Sequence, residues 1–180
     1  MRIEELRPLV AAVGQSAAAV QTPVDVLGRM GFFEGGGTRL VFYRSHSAVR
    51  AARRALKRLH VAGCHVLVGS LSGLPVERRS LGLVVAPLPR RSDPDLLRSL
   101  RRTAGVLGDG GIVVLYGRVR RNPVGWALHV ADVILRRAGG LPSEADLCSW
   151  VLRGGFRRIV SIQAGRIPPV TVIHAVKSLP

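Results

Sequence analysis

Acidic residues are scarce in this chain: 11 face 27 basic ones in 180 positions, leaving a formal charge of +16. A solvated surface normally mixes both signs, so the imbalance points to a polyanionic partner, RNA first and an acidic protein surface second. Lysine is almost missing as well, at Lys57 and Lys177 only. Arginine therefore carries the charge. It suits bidentate phosphate contact and interfacial ion pairs, and GC-rich coding produces the same bias. Aromatics make up 4%, which speaks against a protein that stacks successive bases of a single strand. Cys64 and Cys148 are the only cysteines and lie far apart without a nearby histidine pair. That excludes a disulfide framework, structural zinc and an iron–sulfur cluster, and no metal is expected. No apolar run approaches the roughly 18 residues that cross a bilayer. Met1–Leu6 holds two acids and no leading apolar stretch, so a secretory signal is not expected; the chain reads as soluble and cytoplasmic.

What is present is an apolar content of 47%, enough for one α/β domain spanning 1–180. Ile3–Val13 has helical spacing, and the alanine-rich Ser16–Val20 extends it. Pro23 opens a short helix through Met30, and Gly35–Gly37 forces a loop. Arg39–Tyr43 reads as a strand and Ser47–His60 as a helix with Val49, Ala52, Leu56 and Leu59 inward. His65–Gly69 and Leu81–Ala86 read as strands. Asp93–Leu107 reads as a helix capped by Ser92, Gly108–Gly111 as a turn, and Ile112–Tyr116 as a strand. Pro123–Arg137 is a broadly apolar helix, and Ser143 caps another over Glu144–Arg153. Arg158–Gln163 and Val170–Lys177 form a terminal hairpin. Strands alternating with helices imply a mostly parallel sheet with helices on both faces, the hairpin adding one antiparallel strand.

Four stretches in order carry a family resemblance. Val41–Ser45 (VFYRS), followed by Ala51-Ala52-Arg53, matches VDxS…AR. Gly69–Val85 (GSLSGLPVERRSLGLVV) has the spacing of GDxxxLPFxDxSFDxVV. Leu100–Gly111 is similar to an RxLxPGG turn, and Ser143–Phe156 to SxEELxxLLxxAGF. Together they resemble the class I S-adenosylmethionine (SAM)-dependent methyltransferase family, with 38–180 as its recognisable core and 1–37 as a divergent part. The resemblance implies a Rossmann-like sheet and a cofactor site at Tyr43, Arg44, Ser70, Leu71 and Ala86.

The same resemblance exposes losses. In the family an acid ends the second strand and accepts both ribose hydroxyls; here that position is Tyr43. The GD acid is Ser70, and the aspartate of FDxV is Gly82. No GxGxG triplet closes a first strand; Leu9–Gly14 and Val24–Gly31 are the two candidate places, and neither carries it. SAM binding is expected to be impaired rather than abolished. After strand four, Ala86–Pro89 keeps prolines but lacks the amide and aromatic of an (N/D)PP(Y/F) motif. The histidines are scattered, and His46 alone sits near the cofactor strand.

Arg50, Arg53, Arg54, Lys57 and Arg58 fall at i, i+3, i+4, i+7 and i+8 on one helix face, so they are the expected phosphate contacts, together with Arg90 and Arg91. The expectation is a methyltransferase-like protein with reduced or lost catalysis that binds RNA or serves as a scaffold. A divergent active SAM-dependent methyltransferase, completed by a partner subunit, is the alternative. Helix 123–137 either caps the substrate cleft or meets a second copy or an active methyltransferase partner.

Overall fold

A computed structural model describes residues 3–88, 95–117, 141–164 and 170–177. One seven-stranded sheet organises them: β1 (Ala17–Val20), β2 (Arg39–Tyr43), β3 (Cys64–Val68), β4 (Leu81–Pro87), β5 (Leu107–Gly117), β6 (Phe156–Ala164) and β7 (Val170–Lys177). Their spatial order is β3-β2-β1-β4-β5-β7-β6. Every pairing from β3 to β5 is parallel, whereas β7 runs antiparallel to both β5 and β6. The expected α/β architecture, with its C-terminal antiparallel hairpin strand, is the one found.

The helices are α1 (Arg7–Ala11), α2 (Val24–Arg29), α3 (His46–Arg58), α4 (Leu96–Val106) and α5 (Glu144–Arg153). Alternate residues of each central strand face opposite layers. Ala18, Val20, Phe42, Val84 and Ala86 pack with α4 and α5, while Ala17, Ala19, Val41, Leu83 and Val85 pack with α1, α2 and Phe32. A further cluster joins Val49, Ala52 and Leu56 of α3 to Val66 of β3.

Local chemistry sets the boundaries. Ser45 takes an extended backbone, and its hydroxyl accepts from the Ala48 N–H, so α3 starts at His46. His60, at φ 54°, turns the chain left-handed just past the end of that helix. Ser143 and Asp146 form a reciprocal capping box that opens α5 where the serine predicted it. Elsewhere several expectations need correction.

Ser16–Val20 does not extend a helix: Ala17–Val20 is β1, the sheet's central strand, buried on both faces. The first strand therefore lies at neither Leu9–Gly14 nor Val24–Gly31; the latter is largely α2. The helix expected over Ile3–Val13 is shorter and split, a tight turn at Ile3–Leu6 leading into α1. Gly108–Gly111 is no separate turn but part of β5, which begins at Leu107. Helix α4 begins at Leu96; Ser92 and Asp93 lie outside the described residues, as do Arg90, Arg91 and helix 123–137.

At the amino ends of the central strands sits Arg39, 3% exposed, without a carboxylate partner among the described residues. Its guanidinium donates to the carbonyls of Phe32 (2.8 Å), Gln15 (2.7 Å) and Val13 (3.1 Å), and lies over the Phe32 ring. Gly82 sits at this same end. A Cβ there would meet Gln15 at 2.8 Å and Val13 at 3.0 Å, so a side chain has no room. The absent FDxV aspartate thus bears on packing at the end of the sheet away from Tyr43.

Candidate cofactor-end site and basic surfaces

The carboxyl ends of β3, β2, β1 and β4 bring the sequence-predicted residues to one edge of the sheet. Open α/β sheets bind ligands beyond such ends. Tyr43 ends β2 and Arg44 follows it, exposed; Ser70 and Leu71 follow β3; Ala86 lies near the end of β4 and is fully buried in the core. The Gly69 N–H donates to the Tyr43 carbonyl at 2.9 Å, joining the β2 and β3 ends. A Cβ at Gly69 would lie 2.9 Å from the Phe42 ring, which accounts for glycine at that position.

The loop after β1 reads Gln21-Thr22-Pro23, where the resemblance implies a glycine triplet. Thr22 is fully buried and donates its hydroxyl to the Val20 carbonyl at 3.0 Å. The Tyr43 hydroxyl donates to the Thr22 carbonyl at 2.6 Å. The phenol at the position where the resemblance implies a ribose-binding acid is therefore committed to the neighbouring loop. Burial, reinforced by the adjacent Tyr116, pushes the Tyr43 phenol up to about 12. Tyr116, at the end of β5, is also raised by burial, while a hydrogen-bonding interaction with the Thr22 side chain pulls it the other way.

Ser70 shares its hydroxyl with Ser72 at 3.2 Å. Asp25, in the first turn of α2, is the carboxylate closest in influence to the two tyrosines, and it pairs with Arg29 at 3.5 Å. Gln21 adopts φ 52°, and its side-chain Nε2 is buried without a hydrogen-bond partner. A groove of about 530 Å³ runs beside Tyr43 between Pro23–Asp25 and the alanines of α3. Sequence reasoning reached Tyr43 and Ser70 but missed Thr22, Gln21, Asp25 and Tyr116; only the position of β1 reveals them.

This donor set does not match the cofactor grip that the resemblance implies. The end of β2 offers a committed hydroxyl instead of a carboxylate able to accept two ribose hydrogen bonds. No cluster of metal-binding side chains occurs among the described residues, and no helix among them is long and apolar enough to cross a membrane.

On α3, Arg50, Arg53, Arg54, Lys57 and Arg58 are all exposed. Arg53 also serves the fold, donating to the Val66 carbonyl on the edge strand at 3.0 Å. The other four have no acidic partner among the described residues. His46 is exposed at the first position of the same helix.

No protein-family model and no curated protein matches the chain. Solved structures do. A SAM-dependent methyltransferase from Aquifex aeolicus matches with TM-score 0.73 at 14% identity, covering 97% of this chain and 88% of that one. A SAM-dependent methyltransferase from Thermotoga maritima gives TM-score 0.73 at 16% identity, covering 98% and 87%. The YcgJ protein of Bacillus subtilis gives TM-score 0.76 at 10% identity, covering 99% and 98%. At such identities the likeness is one of fold: this chain has the class I methyltransferase fold along nearly its whole length.

Proposed function

We propose that this methyltransferase-fold protein has lost efficient SAM catalysis and acts in the cytoplasm as a basic RNA-binding or scaffold subunit of a ribonucleoprotein. The observation that carries the reading is the Tyr43 hydroxyl bonded to the Thr22 carbonyl where a ribose-binding acid would stand. A hydrogen bond to a charged partner contributes about 1.5–3 kcal/mol. Its loss weakens nucleoside binding by about one to two decades. The charge of +16, displayed in part along α3, supports the polyanion side of the proposal.

The test is RNA affinity measured against salt. Neutralised phosphates release counterions, giving a log–log slope near −0.7 per contact on single strands. Reversing Arg50, Arg54 and Lys57 to glutamate should flatten that slope while leaving the melting temperature unchanged, because none of the three is used by the fold. A flat slope for the unaltered protein contradicts the reading.

A second reading keeps an active methyltransferase, completed by a partner subunit. The unpaired Gln21 amide favours it, since a buried donor at the end of β1 is a group that a ligand can satisfy. Under that reading Gln21→Leu weakens SAM binding. Under the first it stabilises the protein and alters no ligand affinity.

A further inference from the structure

We propose that the concavity between α4 and the segment 72–79 is a second anion site, which holds the sugar–phosphate backbone of a nucleic acid. The proposal rests on the RNA-binding reading but places contact on the opposite layer of the sheet from α3. The cleft has a volume of about 1000 Å³ and gathers Arg78, Arg79, Arg98, Arg101, Arg102 and Lys177 from three separate parts of the chain.

Two of these cations build the cleft. Arg102 donates to the Leu74 carbonyl at 2.7 Å and the Val76 carbonyl at 3.2 Å, fastening the loop to the helix. Lys177 donates to the Leu107 carbonyl at 2.7 Å and lies 3.7 Å from Asp109. The Arg79 N–H donates to the Gly105 carbonyl at 3.1 Å, and Arg79 holds a left-handed φ of 56°. The rim of the cleft is thus fixed in place by main-chain bonds.

The side chains of the remaining four make no hydrogen bond to the fold among the described residues. Arg78, Arg79, Arg98 and Arg101 are exposed and have no ion-pair partner among the described residues. Arg98 and Arg101 stand three positions apart on one face of α4, opposite the loop arginines. Like charges converging on one concavity repel more strongly than they do on a convex face, because low-dielectric walls concentrate the field. The carboxyl end of α4 adds about half a negative charge, against four whole positive ones. The remaining imbalance suits a ligand carrying several regularly spaced anions.

The lining favours phosphodiester over other polyanions. Guanidinium forks match phosphate oxygens bidentately. Gly73, Ala104 and Gly105 keep part of the lining small, so a bulky backbone can approach. No aromatic among the described residues lines the cleft, so they offer no stacking platform for bases, and binding is expected to be indifferent to sequence.

The test uses the full chain and a 5′-labelled oligouridine, with fluorescence anisotropy followed across a series of salt concentrations. The Arg98→Glu/Arg101→Glu double variant should bind at least about tenfold more weakly, with its salt slope reduced by about 1.4, two contacts' worth. Arg98→Gln/Arg101→Gln should show a smaller loss in the same direction, and it keeps the test valid if charge reversal perturbs folding. Replacing the oligouridine by a mixed sequence of equal length should leave affinity within about twofold. If folded α4 variants bind as the unaltered protein does, while α3 variants lose affinity, the cleft is refuted and the RNA reading stands. If the unaltered protein binds no RNA, both fall. If it prefers polyglutamate and the α4 variants lose that instead, the ligand is an acidic protein and the proposal is wrong.

Discussion

The two ends of the central strands treat their polar groups in opposite ways. At the amino end, one buried guanidinium serves three main-chain carbonyls, and Gly82 lets the chain approach too closely for any side chain to fit. At the carboxyl end, short polar side chains bond to one another or to nearby carbonyls, and Gln21 is left with an unpaired donor. The first arrangement leaves no alternatives and gives stability. The second is made of single, replaceable bonds, and in this fold it is the end where ligands bind. Side chains at the carboxyl end can therefore be exchanged at less cost to the sheet than those at the amino end.

Substitutions at each end should separate these behaviours. Arg39→Met has the largest expected effect. It leaves three carbonyls without their donor, that of Phe32 buried and those of Gln15 and Val13 part-buried, and losing one partner of a buried bond costs about 1–3 kcal/mol. A total loss of about 3–5 kcal/mol follows, or roughly 10 °C in melting temperature for a chain of this size, readable by calorimetry. Gly82→Asp comes next. It introduces the aspartate that the resemblance implies yet forces Gln15 and Val13 aside, for a loss of about 2–3 kcal/mol in urea unfolding, with no gain in cofactor affinity.

Tyr43→Phe should cost least, about 1 kcal/mol for the lost bond to Thr22. Its signature is in pH. The folded phenol ionises at about 12, above its unfolded value near 10. The stability tied to this shift is intact below about pH 10 and is lost as pH rises toward about 12. The phenylalanine variant should therefore lose stability less steeply across that window. Cys64, raised to about 11 by burial, and Tyr116 keep a residual fall in both proteins. If Tyr43→Phe proves costlier than Arg39→Met, the contrast between the ends is reversed.

Most of the architecture was legible where local signals agreed with burial. The α3 stripe of Val49, Ala52 and Leu56, the Ser143 cap and the terminal hairpin all follow from periodicity and capping chemistry, although Leu59, expected inward, caps the helix and is 53% exposed. The central strand was not legible. Ala17–Val20 is mostly alanine, which favours helix by propensity, and only its position between β2 and β4 makes it a strand. That one miss hid the loop Gln21–Pro23, and with it the partner of Tyr43. Arg39 was equally hidden: a charged residue opening a strand reads as surface, and its three acceptors come from residues 7 to 26 positions away. The α4 cleft escaped a reading by single helices because it is assembled from a helix, a loop and the end of β7.

What most directly probes the carboxyl end is isothermal titration of the purified chain with SAM and with S-adenosylhomocysteine. With Tyr43 committed to Thr22 and no carboxylate ending β2, neither ligand should give saturable heat below about 1 mM, whereas a dissociation constant under about 50 μM, near −6 kcal/mol, would contradict the account.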